Sequence, residues 1–219
     1  MTIEIVREAD ASDRPFALVL NADARRDTPW TPTQDDILND AAFEQARATI
    51  ASWPGYAPTP LVALPGLAEQ AGVASLHYKD EAGRFGLGSF KALGGAYAVA
   101  RLLQREVESA LGAPVPMADI VSGTHADRVA GITVCCATDG NHGRSVAWGA
   151  QTFGCRCVIF IHETVSEGRK RAIEQYGADV RRCVGNYDDS VRETQTTAAR
   201  EGWFVVSDTS YEGYMEVPK

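Results

Sequence analysis

The clearest pattern in the chain begins near residue 131, where short apolar runs alternate with segments of helical periodicity. The run I-T-V-C-C-A at residues 132–137 is continuously apolar, which is typical of a strand buried on both faces. Further strands are predicted at residues 157–161, 178–183 and 203–206, and helices between them at residues 145–153, 167–176 and 187–201. Repeated strand–helix units at this spacing predict an α/β fold, with a parallel sheet and helices on both faces.

The N-terminal part is less regular. Residues 1–32 show no periodicity and are interrupted by three prolines, so we predict an extended segment that wraps a neighbouring surface. Thr33, with Asp36 three residues later, predicts a helix that runs to Trp53, where Pro54 and Gly55 end it.

Between residues 59 and 130 the pattern changes several times. The string T-P-L-V-A-L at residues 59–64 predicts an extended entry, followed by one or two helical turns ending at Gly72 and a strand at residues 74–78. A helix is predicted at residues 91–111 and is expected to pack one apolar stripe on a sheet; the stripe consists of Leu93, Tyr97, Ala100, Leu103 and Val107. The polar residues 112–130 predict a connection with a short helix at best.

Composition narrows the possible partners. The chain has 219 residues and a net charge of −8, which argues against nucleic acid and anionic membranes. It contains no run of 18 apolar residues, and its first thirty residues are too charged for a secretory signal. The five cysteines lack disulfide or zinc spacing, so we expect buried thiols, no metal site and a cytoplasmic location.

One lysine is placed unusually. In the string K-D-E-A-G-R-F-G-L-G-S-F-K-A-L-G-G at residues 79–95, Gly86 and Gly88 loosen the backbone and Ser89 is a good N-cap, so Lys91 falls in the first turn of a helix. The helix dipole there disfavours an ammonium and favours the neutral amine that attacks a carbonyl. A lone lysine after a cap is more often a surface residue. Here Phe85, Leu87, Phe90 and Leu93 are expected to bury the neighbourhood, which favours a reactive site.

These residues carry a resemblance. The segment S-F-K-A-L-G-G behind K-D-E-x-x-R-F-G-L resembles the cofactor-lysine segment of the fold type II enzymes that use pyridoxal 5′-phosphate (PLP), the group of threonine dehydratase and the tryptophan synthase β-subunit. The fuller string R-F-G-L-G-S-F-K-A-L-G-G is most similar to the diaminopropionate ammonia-lyase family. The resemblance implies that Lys91 binds PLP, with Phe90 beside it.

A second loop follows the first buried strand. In T-D-G-N-H-G-R at residues 138–144, two glycines permit close backbone approach, and ligands of open α/β sheets bind at such loops. The resemblance implies that Asn141 holds the 3′-oxygen of PLP, with Gly140 also at the cofactor. Without the resemblance, Asn141 is explained equally well as a residue that forms an Asx turn. His142 is interpreted as a packed or capping residue, and Trp148 and Tyr187 as core residues.

Two aspartates are candidates for proton transfer. The resemblance implies that Asp139 removes a substrate Cα proton on the face opposite Lys91, or binds a second substrate ammonium, and the alternative is a helix N-cap. It also implies that Asp208, in S-D-T-S, lies near the distal amine of the substrate, whereas D-T-S alone reads as a turn. The implied reaction is α,β-elimination from 2,3-diaminopropionate, a small amino acid substrate, by an enzyme that is a homodimer at full length.

The resemblance extends from about Asp27 to Lys219, roughly half of the family's length. We therefore expect the C-terminal half of the fold to be missing, including a glycine-rich loop for the cofactor phosphate, since no G-x-G-x-x-G string follows Gly140. We predict two domains: residues 1–98, with the lysine, and residues 99–219, the smaller domain and the start of the return. Two alternatives remain open: a serine or threonine dehydratase, and an inactive fragment or interaction subunit of the same fold with an exposed sheet edge.

Overall fold

The computed structural model describes residues 21–25, 27–209 and 214, so most of the predicted extended segment at residues 1–32 lies outside the described residues. The chain divides into two compact units, Met1–Asp40 and Ala41–Lys219. The domain boundary expected between residues 98 and 99 falls inside a helix and stays a prediction. No helix in the part of the chain that the structure describes has the length and apolar content needed to cross a membrane.

The helix predicted from Thr33 to Trp53 is interrupted. Helix α1 covers Pro32–Asp35 and is capped by Thr31, whose side chain and that of Gln34 form a capping box. The amide of Asn39 then donates to the Asp35 carbonyl at 3.0 Å. In a continuous helix that carbonyl would accept from the backbone of residue 39, so the side chain competes with helix propagation. Helix α2 begins only at Asp40 and ends at Ala51.

The remaining elements follow the predicted order, with most bounds within a few residues, except at residues 112–130. The helices are α3 (Pro65–Ala71), α4 (Lys91–Leu111), α5 (Met117–Val121), α6 (Ala126–Val129), α7 (Asn141–Phe153), α8 (Glu167–Glu174) and α9 (Tyr187–Glu201). At most one short helix was predicted at residues 112–130, and the structure has two, α5 and α6. The strands are β1 (Leu61–Ala63), β2 (His77–Lys79), β3 (Thr133–Ala137), β4 (Arg156–His162), β5 (Asp179–Cys183) and β6 (Phe204–Val205).

Two sheets form. Strands β1 and β2 pair antiparallel through the register Val62 to Tyr78. The larger sheet has the order β5-β4-β3-β6, and its neighbouring strands pair parallel, as predicted.

Alternate residues of the central strands face opposite helices. Val134 and Cys136 of β3 join the main core with residues of α7, whereas Cys135 between them packs with Ala198 of α9 in a second cluster. This period of two confirms helices on both faces of the sheet. All five residues of β3 are buried, as the continuous apolar run predicts.

Helix α4 packs on helix α7, and the prediction that it packs on a sheet is wrong. A Cβ added at Gly149 would lie 2.8 Å from the Ala96 Cα, and the hydroxyl of Ser145 accepts from the Ala96 backbone N–H at 3.1 Å. Small residues therefore let the two helices approach closely, while α7 already covers the sheet. Gly95 lies against Ser145, and Val99, one turn later, lies near Gly149, so the helices run in the same direction. Their first turns consequently lie side by side.

Candidate active site

Lys91 is the first residue of α4, at the end where α4 and α7 both begin. The N-cap of α4 is Phe90, so the prediction that Ser89 is the N-cap is wrong by one residue. The Ser89 hydroxyl still accepts from the Lys91 backbone N–H at 3.2 Å, and Lys91 lies in the first turn as predicted. The Lys91 side chain is 38 % exposed. The amine is therefore at the surface of the first turn and accessible to a ligand.

The loop before Lys91 is held by aromatic packing. Gly86 and Gly88 have φ values of 72° and 68°, the left-handed region that glycine tolerates. Phe85 also has a positive φ, 47°, which costs a residue with a Cβ about 1–2 kcal/mol. Its ring stacks on Trp148 at 4.8 Å, a contact that offsets this cost. Trp148 packs against the main core, as predicted.

A buried arginine ties this loop to the T-P-L segment. The Arg84 guanidinium donates to the Glu81 carboxylate at 2.8 Å, to the Thr59 hydroxyl at 3.0 Å and to the Ala57 carbonyl at 3.0 Å. The hydrogen bond from Arg84 lowers the pKa of Glu81 to about 2. This network was not anticipated, because spacing alone does not show which charged residues become buried.

Lys91 forms an ion pair with Asp208, which lies in the bend after β6. The Asp208 side chain is 30 % exposed. Burial raises the pKa of Asp208, but the hydrogen bond from Lys91 and the nearby His142 outweigh it, so the pKa lies below its usual value. The Thr209 N–H donates to the Ser207 hydroxyl at 3.2 Å, so this segment also forms the predicted turn. The turn is therefore confirmed, and the position of Asp208 near the distal amine of a substrate stays a prediction.

His142, interpreted from sequence as a packed or capping residue, is buried beside this ion pair. Its Nε2 lies 2.7 Å from the Val206 carbonyl oxygen, and its Nδ1 lies 3.8 Å from the Asp208 carboxylate. Burial lowers the pKa of His142, and Asp208 acts in the opposite direction. No sequence signal indicates this contact, because Val206 and Asp208 reach His142 only when β6 joins the sheet beside β3.

Thr138, in the loop after β3, has a structural role that the sequence analysis did not identify. The Thr138 hydroxyl accepts from the Gly140 and Gly143 backbone N–H groups, both at 3.1 Å. The N-cap of α7 is Gly140, so the alternative that Asp139 is the helix N-cap is wrong. The α7 helix begins at Asn141, four residues earlier than predicted, because the Thr138 hydroxyl accepts from backbone N–H groups at its start.

The two glycines of this loop differ in role. A Cβ at Gly143 would lie 2.3 Å from the Thr138 Cγ2, so Gly143 serves the internal packing of the cap and not the approach of a ligand. A Cβ at Gly140 would meet nothing within 4 Å. Asp139 and Asn141 are exposed, and neither side chain makes a hydrogen bond or ion pair with another described residue. The backbone at Gly140 and both flanking side chains are thus open to a ligand.

Tyr187, expected in the core, is half-buried at the start of α9 and belongs to neither core cluster of the described residues. Burial raises its pKa, and the carboxylates of Asp208 and Asp139 add to that effect. The phenol therefore faces the same acidic region as the ion pair. It is neutral at neutral pH and can donate a hydrogen bond.

The structure brings some predicted residues together and leaves others apart. Lys91 and Asp208 are in contact, whereas no hydrogen bond or ion pair among the described residues joins Lys91 to Asp139 or Asn141. Phe90 is 63 % exposed, so the expectation that it buries the lysine neighbourhood is wrong; Leu87, at 2 %, is buried instead.

A basic groove elsewhere does not compete as the site. It lies beside β5 and α9, and its four arginines are each paired with a carboxylate: Arg181 with Asp179, Arg182 with Glu167, Arg192 with Asp189 and Arg200 with Glu201. Guanidinium groups that already have such partners offer little net charge to an anionic ligand.

The donor set at the α4–α7 end fits the aldehyde and ring-oxygen side of PLP. An accessible amine at Lys91 can condense with the aldehyde. The Asn141 amide is exposed and has no partner among the residues that the structure describes, and none of them crowds the backbone at Gly140. These are the residues that the chain offers to the group.

Comparison with known proteins identifies the family of the chain. The family of pyridoxal-phosphate dependent enzymes matches residues 52–217. The chain is 42 % identical over 80 % of its length to diaminopropionate ammonia-lyase of Escherichia coli strain K12, covering 44 % of that protein. It is 35 % identical over 89 % of its length to diaminopropionate ammonia-lyase of Salmonella typhimurium strain LT2, covering 48 % of it.

A solved structure shows the same relationship. The crystal structure of Escherichia coli diaminopropionate ammonia-lyase in apo form superposes with a TM-score of 0.73 at 40 % identity, over 82 % of this chain and 47 % of that one. The chain thus spans less than half the length of the relatives it matches. Because the family match extends over most of the chain and includes Lys91, Asn141 and Asp208, the chain belongs to the pyridoxal-phosphate dependent enzymes of fold type II.

Proposed function

We propose that this chain carries the cofactor lysine of a PLP-dependent carbon–nitrogen lyase that eliminates ammonia from 2,3-diaminopropionate to give pyruvate and ammonia. The observation that carries the proposal is the contact of Lys91 with Asp208 at the end where α4 and α7 begin, next to the open loop at residues 138–143. The similarity to two diaminopropionate ammonia-lyases supports the choice of substrate.

The proposed cofactor contacts come from the start of two helices. Lys91 at the start of α4 would hold PLP through its amine, and Asn141 at the start of α7 would donate to the ring oxygen. Gly140 would leave room for the cofactor, and Phe90, which is exposed next to Lys91, would contact it. When bound, PLP supplies the electron sink that stabilises the carbanion formed when the substrate Cα loses its proton.

Two residues of the chain then act as bases on the substrate Cα, one on each face. The Lys91 amine removes the Cα proton of one enantiomer, and the Asp139 carboxylate removes it from the opposite face for the other. Asp139 suits this role because it is exposed and has no competing partner among the described residues. Loss of the β-amino group as ammonia gives an enamine, which hydrolyses to pyruvate and a second ammonia.

Asp208 selects the distal amine of the substrate in this proposal. Its carboxylate is paired with an ammonium, that of Lys91, and its lowered pKa keeps it ionised. When Lys91 becomes neutral, the substrate's β-ammonium replaces it as the partner. A serine or threonine substrate has a hydroxyl at that position and would leave the carboxylate uncompensated.

We further propose a cytoplasmic location and a homodimeric whole protein. Support for the location comes from the five cysteines, which are free thiols in the structure. Support for the dimer comes only from the family resemblance. The degradation of an amino acid to pyruvate and ammonia would be a catabolic role.

Product stoichiometry tests the proposal. The chain is incubated with PLP and with D- and L-2,3-diaminopropionate, L-serine or L-threonine, and keto acid and ammonia are measured. The proposal predicts two molecules of ammonia for each pyruvate from diaminopropionate, with little product from serine or threonine. One ammonia for each keto acid from serine or threonine would identify a dehydratase instead. No product and no visible-range cofactor absorbance would identify an inactive fragment or interaction subunit.

A further inference from the structure

A tyrosine holds the backbone that leads into Asp208. The Tyr214 hydroxyl accepts from the Ser207 backbone N–H at 2.8 Å and donates to the Val205 carbonyl at 3.1 Å. A phenol is both a donor and an acceptor, so this one oxygen satisfies two backbone groups. Ser207 immediately precedes Asp208, and Tyr214 therefore acts on the residue next to the acidic partner of Lys91.

The two backbone groups that Tyr214 binds face the outer edge of β6. Strand β6 is at one edge of the larger sheet, where a strand presents N–H and C=O groups that need partners. The Val206 N–H donates to the Cys135 carbonyl of β3 at 2.8 Å, so the backbone groups of Val206 face β3. Neighbouring residues of a strand present their backbone groups to opposite sides, so those of Val205 and Ser207 face away. The Tyr214 hydroxyl thus takes the place of a further strand.

The inner side of the same backbone is held by His142. The Val206 carbonyl oxygen lies 2.7 Å from the His142 Nε2, which donates because a carbonyl only accepts. His142 is 7 % exposed and belongs to the first turn of α7. Residues 205–207 are therefore fixed from both sides, and Tyr214 fixes the outer side.

Asp208 depends on this backbone for its direction. Its side chain is 30 % exposed, and its Oδ2 pairs with Lys91, whereas the His142 Nδ1 is 3.8 Å away, which is too long for a hydrogen bond. An ion pair that solvent reaches gains little free energy by itself, because water screens the charges and two flexible side chains must be ordered. The rigidity of residues 205–207 therefore determines whether the carboxylate stays turned towards Lys91.

We propose that Tyr214 is a positioning residue, whose hydroxyl fixes residues 205–207 so that the Asp208 carboxylate faces Lys91. A carboxylate that is already held in place loses less conformational freedom when it binds a cation. The same position presents the carboxylate to the distal ammonium of the substrate, and this last step rests on the proposed function.

Removal of the hydroxyl alone separates this role from simple packing. Tyr214→Phe keeps the ring and removes the oxygen that makes both hydrogen bonds. Tyr78→Phe is the matched control, because Tyr78 of β2 is 54 % exposed and its hydroxyl makes no hydrogen bond with another described residue. A tyrosine that only stabilises the fold would leave the Lys91–Asp208 pair unchanged when its hydroxyl is removed.

Carbon-13 NMR of the aspartate carboxyl groups, on the 219-residue chain without PLP, measures the titration of Asp208. Its signal is assigned by its loss in Asp208→Asn. Burial raises the pKa of Asp208, and the hydrogen bond from Lys91 is the largest effect that lowers it, so Lys91→Ala should shift the midpoint upwards where the pair is formed. We expect this shift in the wild-type and Tyr78→Phe backgrounds, and its loss in the Tyr214→Phe background.

An upward shift of the same size in the Tyr214→Phe background, or no shift in the wild-type background, would overturn the inference. If Tyr214→Phe does not fold, hydrogen exchange at the Ser207 amide of the wild-type chain decides. Protection of that amide supports the inference, and exchange at the rate of an exposed amide overturns it.

The result is separable from the proposed function. Loss of the shift in Tyr214→Phe, in a chain that never binds PLP, would sink only the enzymatic proposal. An unchanged shift in a chain that is active would sink only the role of Tyr214.

Discussion

Lys91 and Asp208 form an ion pair although 117 positions separate them in the sequence. Two features of the fold create the contact. Helix α4 lies alongside α7 in the same direction, which places Lys91 next to the loop after β3. Strand β6 joins the sheet beside β3, which places Asp208 at the same edge of the sheet.

Close packing of α4 on α7 should make Gly95 intolerant of a side chain. A Cβ there would lie 2.5 Å from the Ser145 hydroxyl, so we expect Gly95→Ala to destabilise the chain by about 1–3 kcal/mol. Its neighbour Gly94 is the control, since a Cβ there would meet nothing within 4 Å. Gly94→Ala should stabilise by about 0.5–1 kcal/mol through helix propensity. Urea denaturation of both variants checks this, and equal stability of the two would contradict the packing.

The Glu81–Arg84 pair should stabilise the loop before Lys91. Glu81→Ala leaves the Arg84 guanidinium buried without its carboxylate, so we expect a loss of about 3–5 kcal/mol in the free energy of unfolding at neutral pH. Glu44→Ala is the control because it removes an exposed pair with Arg47, and it should leave the free energy of unfolding almost unchanged. Thermal or urea unfolding provides the measurement.

The same pair has a pH signature. The pKa of Glu81 falls from 4.5 to about 2 on folding, so its contribution to stability is fully present above pH 4.5 and is lost as the pH falls towards 2. The stability difference between wild type and Glu81→Ala should therefore shrink across this range. A difference that stays constant down to pH 2 would show that Glu81 is not paired in the folded chain.

Asp139 should distinguish the enantiomers of the substrate. If Asp139 and Lys91 remove the Cα proton from opposite faces, Asp139→Asn should reduce turnover of the D enantiomer by at least about 100-fold, the contribution of one general base, and affect the L enantiomer much less. Pyruvate release from each enantiomer is the readout. Equal losses on both would mean that Asp139 binds the substrate and does not act as a base on one face.

Local signals in the sequence were sufficient for most elements. Helix α4 begins at Lys91 after Ser89 and ends before Gly112, whose φ of 68° suits glycine, and α9 ends before Gly202 in the same way. The buried strand β3 was evident because a run of apolar residues at that length fits a central parallel strand. Each of these depends on residues that are neighbours in the sequence.

Features that depend on distant contacts were missed. The partner of α4 is set by Gly149 and Ser145, about fifty residues away, and an apolar stripe does not reveal whether it faces a sheet or a helix. The cap of α7 was not predicted. Asp139 was considered as the N-cap only as an alternative, whereas the N-cap is Gly140 and the Thr138 hydroxyl accepts from backbone N–H groups at the start of the helix. The contacts of His142 could not be predicted, because Val206 and Asp208 come close to it only when β6 joins the sheet.

The most direct test of the account is whether Lys91 is the amine that binds PLP. The chain is mixed with PLP, the visible-range absorbance is recorded, and borohydride is added to fix any lysine adduct for mass spectrometry. We predict an adduct on Lys91, its absence in Lys91→Ala, and its persistence in Lys170→Ala, which removes a lysine of the surface pair with Glu174. A Lys91→Ala chain that keeps the absorbance band and the borohydride-fixed adduct would contradict the assignment.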